Sequence, residues 1–295
     1  MGQTAGRLAW SLLSRVGRSG SSASCSVGGP MPRCRDETPG KKLMPQVTII
    51  IGVYNGELFL GELLESLHNQ TTRDWKCIFV NDGSTDRSAS ILAKAAKEDS
   101  RITVLTQVNS GVGAARNSGL ELVNTPFIMF ADQDDRLAPQ AVARAVSAIT
   151  ECGADILHFR SNRGLKRSIF VWEHIFRAAS IGKTRFEPIT GGEDTAFFWE
   201  LGFKSLRWAE IDDCLYWNRP NRGSFSRAVS PHYIDNAFAG YRAMRDSARH
   251  HGLVGLRMRC RLWGHILPFV LSIMLRHPRP CNLIALWYNL WKLGK

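Results

Sequence analysis

The chain has 295 residues, 44% hydrophobic and 22% charged, enough to bury a full core and unlike a disordered or fibrous composition. Its formal charge of +12 sits at the ends: residues 1–46 carry +5 and residues 237–295 carry +9, which leaves −2 between them. Basic ends can meet nucleic acid or anionic lipid, but no helix-turn-helix, zinc-finger or similar module accompanies them, so no nucleic-acid partner is expected.

Residues 1–45 are rich in Ser, Gly and Arg and show no sustained period, so a disordered basic leader is expected there. A start at Met44, an Arg-rich transit peptide and a surface-binding arm stay open beside it. From Gln46 the chain becomes regular. Val47–Val53 is β-branched and apolar, the pattern of a strand buried on both faces, and Leu60, Leu63, Leu64 and Leu67 follow at helical spacing. Strands are predicted at 76–80, 102–105, 127–131 and 155–159, alternating with helices over 85–98, 113–122 and 139–151. Such alternation implies right-handed βαβ units and a Rossmann-like α/β sheet. Further on, the spacing predicts a helix over 172–180, a helix from Glu193 to Leu201, short strands at 204–208 and 214–217, and basic helices from about Pro231.

Two acidic runs follow predicted strands: Asp82-Gly83-Ser84-Thr85-Asp86, and Asp132-Gln133-Asp134-Asp135. Strand carboxyl ends are where open α/β sheets bind ligands. An Asp-x-Asp there suits a hard divalent cation, which takes oxygen ligands and shares phosphate oxygens. Each run has a plainer reading as well, as a turn with Ser84 or Thr85 capping a helix, and as solvated loop acids. Gly111-Val112-Gly113-Ala114-Ala115-Arg116 starts like a dinucleotide fingerprint, but Arg116 replaces the third glycine and the motif follows the third strand, so NAD or FAD is rejected. Arg116 is instead expected to aim a cation at the edge that carries Asp82 and Asp134. Seven scattered cysteines without a Cys-x-x-Cys argue for free thiols in a reducing compartment.

Taken in order, Val53-Tyr54-Asn55-Gly56, Asn69-Gln70-Thr71, Asn81-Asp82-Gly83-Ser84-Thr85-Asp86, Ala115-Arg116-Asn117-Ser118-Gly119 and Asp132-Gln133-Asp134-Asp135 resemble glycosyltransferase family 2. The likeness continues more weakly through Gly192-Glu193-Asp194 to Tyr216-Trp217-Asn218-Arg219, so it covers roughly residues 46–227. It implies a GT-A fold, a mixed but mainly parallel sheet flanked by helices, here with a C-terminal helical extension. The implied division is a leader at 1–45, a catalytic domain at 46–230 split after residue 135 into nucleotide and acceptor halves, and a basic extension at 231–295. The implied activity is inverting transfer of a sugar from a nucleotide-sugar donor, preferably a UDP-sugar, to a saccharide or lipid-linked acceptor, with Mg²⁺ or Mn²⁺ as cofactor. Asp134 would ligate the metal, and Asp132 would meet it through water or bind the ribose. Gly52, Val53, Tyr54, Asn55, Asp82 and Arg116 would bind the nucleotide. Asp194 would be the general base, against a plainer role as a helix-start acid. Arg219, Arg222, Ser224 and Ser226 would close over the diphosphate or form a solvated basic loop.

Two departures from the family pattern stand out. Asn81 replaces a frequent second Asp, and only 60 residues separate Asp134 from Asp194. The shortening falls between Phe159 and Phe170, so a donor-binding relic without activity is the alternative reading. Finally, no apolar run approaches the roughly 20 residues of a spanning helix. Arg257, Arg259 and Arg261 precede an apolar stretch, and Trp287 and Trp291 follow near Lys292. A contact with an anionic membrane surface and ordinary helix packing both fit. The expected location is the cytoplasm, with a peripheral seat on the inner face of the plasma membrane left open.

Overall fold

The computed structural model describes residues 45–164, 170–189, 191–202, 204–219, 231–252, 255–277 and 279–293. Strands β1 (Val47–Val53), β2 (Trp75–Asp82), β3 (Ile102–Gln107) and β4 (Phe127–Asp132) run parallel in the order β3-β2-β1-β4. Helices α1 (Leu60–His68), α2 (Ser88–Glu98) and α3 (Val112–Glu121) make the crossovers. The register puts Gly52 opposite both Val80 and Asp132, so the acidic runs of β2 and β4 begin at the same edge of the sheet, Asp82 two residues beyond the level of Asp132. The side chains of β1 alternate between two cores. Ile49 and Ile51 join Leu60, Leu63 and Phe79, whereas Ile50 joins Phe130, Phe176 and Phe197 on the other side. Each such buried side chain contributes on the order of 1.5–3 kcal/mol.

The second half completes an eight-stranded mixed sheet. It contributes β5 (Arg136–Leu137), α4 (Ala141–Glu151), β6 (Ile156–Ser161), β7 (His174–Arg177), α5 (Ala178–Ile181), α6 (Glu193–Leu201) and β8 (Trp208–Trp217), in the overall order β3-β2-β1-β4-β7-β6-β8-β5. The helix expected over 172–180 is not formed. A single 3₁₀ turn at Val171–Glu173 leads into β7, which lies antiparallel between β4 and β6. The reason is burial on both faces: Ile175 faces one core and Phe176 the other, and pairing satisfies the backbone on both edges. The strand expected at 204–208 is not formed before Trp208, and the one expected at 214–217 is the end of a longer strand, β8, whose pairing with β6 is broken by irregularities after His158 and Arg160.

Helices α7 (Pro231–His250), α8 (Gly255–Arg276) and α9 (Pro280–Leu293) form the basic C-terminal part. They share a third core in which Trp199 of α6 meets Ile234, Phe238, Ile266 and Leu286. No helix among the described residues is long and apolar enough to cross a membrane.

The fit of α3 against β1 is close. A Cβ on Gly119 would lie 2.4 Å from Ile50 Cγ2. Replacing it by Ala forces Ile50 off its rotamer, and overpacking of that kind costs about 1–3 kcal/mol. A Gly119→Ala chain is therefore expected to melt several degrees lower in a thermal denaturation series; an unchanged midpoint would contradict the packing described.

Candidate active site

The edge is assembled first as a scaffold. Past β1 the backbone turns at Asn55, which takes a left-handed φ of 50° that an Asn side chain tolerates better than most. The Asn55 side-chain oxygen accepts the Thr85 backbone N–H at 2.8 Å, and the Asn55 N–H donates to Ser84 Oγ at 3.1 Å. Gly56 N–H donates to Ser88 Oγ and Glu57 N–H to Asp86 Oδ2. Gln133 closes the other side, accepting from Tyr54 N–H and donating to the Tyr54 carbonyl. The Ser84-Thr85-Asp86 run is thus a clasp on the β1 loop. Neither Ser84 nor Thr85 caps α2, which begins at Ser88 with Asp86 Oδ1 accepting the Ser88 N–H.

Asp82 is buried and its carboxylate holds the next loop, accepting from Gln107 Nε2 at 2.8 Å, Ser110 N–H at 2.9 Å and Gly111 N–H at 2.8 Å. A carboxylate offers about four acceptor positions, so three of them are used by the loop. Gly83 beside it has a φ of 72°, and a Cβ there would meet the Asn109 N–H at 2.9 Å, so glycine is required. Gly52 and Val53 end β1 at the level of Asp132, with Tyr54 exposed in front of them.

The acids of β4 and α6 meet around Arg116. This guanidinium is buried, donating through Nη2 to Asp132 at 2.9 Å and through Nη1 to Asp194 at 2.7 Å, with Glu193 at 3.6 Å. It therefore faces inward between two acidic elements and is not left open to a nucleotide. Its ring-side neighbour is Phe186, 5.3 Å away. Burial alone would lower the guanidinium's proton affinity, but the charges of Asp194, Asp132 and Glu193 raise it overall. Asp194 accepts a second hydrogen bond from the Val171 N–H at 3.2 Å. Burial pushes its carboxyl up to about 7, against the lowering effect of Arg116. Asp132 is likewise raised by burial, with Asp134 adding repulsion. The short spacing between Asp134 and Asp194 thus does not separate the two acidic elements.

Sequence reasoning passed over a further layer. Asp135 is buried and also raised to about 7, chiefly by burial and then by the Asp132 charge. It accepts from Tyr216 Oη at 2.9 Å, Asn218 Nδ2 at 3.1 Å and the Arg219 N–H at 2.8 Å. The Tyr216 hydroxyl in turn accepts the Asp132 N–H at 2.9 Å. This relay fixes the acidic turn after β4 to the end of β8. Arg219 donates to the Asp134 carbonyl at 3.0 Å and pairs with Glu62. Arg222, Ser224 and Ser226 lie outside the described residues. The missed signal was the third acid of the run, together with an Asn-Arg pair just after a predicted strand.

The donor set suits a small hard cation. Among the described residues no three His, Cys, Asp or Glu side chains converge into a cage. Mg²⁺ and Mn²⁺ sites for phosphate chemistry, however, use one or two carboxylates with the substrate's own oxygens, and Asp134 and the half-buried Asp132 offer that number.

The family model described as Glycosyl transferase family 2 matches residues 48–206, more than half of the chain. The chain belongs to glycosyltransferase family 2. It is 27% identical over 269 residues to the uncharacterized glycosyltransferase EpsJ of Bacillus subtilis, 78% of each chain. Its fold is that of GT-A glycosyltransferases, with a C-terminal helical region. Residues 1–349 of S. aureus TarS, solved with UDP-GlcNAc, superpose with a TM-score of 0.69 at 21% identity, over 84% of this chain and 80% of that one. The mannosyltransferase PcManGT of Pyrobaculum calidifontis, solved with GDP-Man and Mn²⁺, gives 0.58 at 17% identity, over 97% and 95%.

Proposed function

We propose that this glycosyltransferase moves a sugar from a nucleoside diphosphate sugar, a UDP-sugar first, onto a hydroxyl of a polysaccharide or glycolipid precursor, inverting the anomeric carbon. The observation that carries the reading is the Arg116 cluster, in which a carboxyl near neutrality, Asp194, and the first Asp of the Asp-x-Asp run share one guanidinium. A base poised near the working pH and a nucleotide-side acid are thereby held on one rigid frame. In the step, the acceptor O–H gives its proton to the Asp194 carboxylate and the oxygen bonds to the anomeric carbon. The bond from that carbon to the diphosphate oxygen breaks on the opposite face. Asp134, with Asp132, would hold a Mg²⁺ or Mn²⁺, whose contribution is to neutralise the leaving diphosphate. Asp82 and the β1 loop, Gly52 to Asn55, would frame the base and ribose, and Arg116 would serve them indirectly by fixing Asp132. Arg219, held against the acidic turn, would begin a loop over the diphosphate.

UDP is preferred because TarS was solved with UDP-GlcNAc, and PcManGT with GDP-Man is the reason to test guanine nucleotides beside it. The division into a leader at 1–45, a catalytic unit at 46–230 and an extension at 231–295 follows the same reading. So does a cytoplasmic location against the inner face of the plasma membrane. Calorimetric titration of UDP, GDP, CDP and TDP, with and without Mn²⁺, tests the donor side. The expected result is one nucleotide bound in a metal-dependent way, weakened about tenfold or more in Asp134→Ala. Metal-independent binding equal in both proteins would sink the metal assignment.

A further inference from the structure

Helices α8 and α9 each carry two apolar faces where the fold uses one. Leu262, Ile266, Val270 and Ile273 of α8, and Ala285 and Leu286 of α9, are buried in the core shared with α7. Yet among the described residues nine large apolar side chains on the same two helices are exposed, and Leu275, Ile284 and Trp287 are 79%, 67% and 68% open. Isolated exposed leucines are ordinary, but a continuous apolar patch on a charged protein marks an interaction surface. These residues are densest beside the short connection between the helices: Leu271, Met274 and Leu275 lead into it, and Leu283, Ile284 and Trp287 lead out. Residues 252–295 also contain seven Lys and Arg and no Asp or Glu.

That combination selects one partner. A second copy packing symmetrically through this part would bring together two segments that each carry a net charge of +7 over residues 252–295, because a two-fold interface brings like patches together. Nucleic acid would satisfy the cations and leave the Leu, Ile and Trp side chains in water. A bilayer rich in anionic lipid satisfies both, taking the apolar stripe into the headgroup–acyl boundary, Trp at the interface and the cations against phosphate. We infer that the tip of the α8–α9 hairpin seats this protein on an anionic membrane surface. The inference deepens the functional reading by naming the surface that would meet a lipid-linked acceptor, and it rests on that reading for the location alone.

The test is flotation of the full chain with vesicles of phosphatidylcholine, alone or mixed equally with phosphatidylglycerol, at low and high salt. The expected result is flotation with the anionic vesicles only, weakened by salt, and reduced about tenfold or more in Leu275→Glu/Trp287→Glu. Should that double variant fail to fold, quenching of wild-type tryptophan fluorescence by brominated acyl chains reads the same insertion. Three results would overturn the inference: wild type that stays at the bottom of the gradient, a folded double variant that floats like wild type, or a wild-type dimer that the variant converts to monomer. Metal-dependent nucleotide binding measured on the same samples separates the two readings, since lost flotation with intact nucleotide binding removes the membrane face and leaves the transferase.

Discussion

Asp194→Asn is expected to lower kcat by about 10²–10⁴-fold while leaving donor affinity within a few-fold of wild type. Asn keeps the shape of the carboxyl and can still accept the hydrogen bond from Arg116 Nη1, now 2.7 Å long, but it cannot take up the acceptor's proton. The pH dependence of the wild type makes the same case. With its carboxyl pushed up to about 7, Asp194 is protonated below that pH and useless as a base, so kcat/KM of the free enzyme should climb through about 7 from the acid side. Stability should slope the other way. Asp194 and Asp135, both raised to about 7 in the folded chain, hold protons between pH 4 and 7 that the unfolded chain has released. The stability they contribute is fully present below the unfolded carboxyl value and is lost as pH rises through about 7. Opposite slopes of activity and stability over one window are hard to obtain from a surface acid. A single-turnover rate untouched by the substitution would place the base elsewhere.

How much of this was legible in advance varies with the range of the interactions. The four parallel strands could be read because β1, β2 and β4 are apolar on both faces, the edge strand β3 carries Ile102, Val104 and Leu105, and turns with Gly, Asn or Asp follow them, which is local information. The edge that carries Asp82, Asp132 and Asp134 followed from their positions after those strands. Strand β7 could not be read so. Trp172, Ile175 and Phe176 fit a helical spacing as well as a strand, and the decision was made by pairing on both sides, with the preceding strand β6 and with the more distant β4. The partners of Arg116 were hidden for the same reason, since Asp194 is 78 positions downstream. Local motifs thus brought the acids to one edge, while their electrostatic wiring depended on tertiary contacts. Tyr216 is a further instance: its place in the family's pattern was legible, but the hydroxyl bonds that join Asp132 to Asp135 reach across 84 and 81 positions of the chain.

Arg116→Met tests that wiring directly. Methionine fills much of the space against Phe186 without a charge, so the carboxylates of Asp132, Glu193 and Asp194 lose their shared partner. Breaking a buried ion pair from one side costs about 3–5 kcal/mol, because the charge that remains is buried and unpaired. The carboxyls have an escape, however: they can bind protons. The proton affinities of Asp132 and Asp194, already raised by burial, rise further when the guanidinium is gone. The folded variant then holds more protons than the unfolded chain over a wider range, and its stability falls more steeply with pH than that of wild type. Urea denaturation should accordingly show a small loss at about pH 5 and the full loss at about pH 8. Any remaining activity should have its acid limb moved upward from about 7, a change that loss of packing alone would not produce. An equal loss of stability at both pH values, with the limb in place, would reduce Arg116 to a packing residue and leave Asp132 and Asp194 as two separate acids.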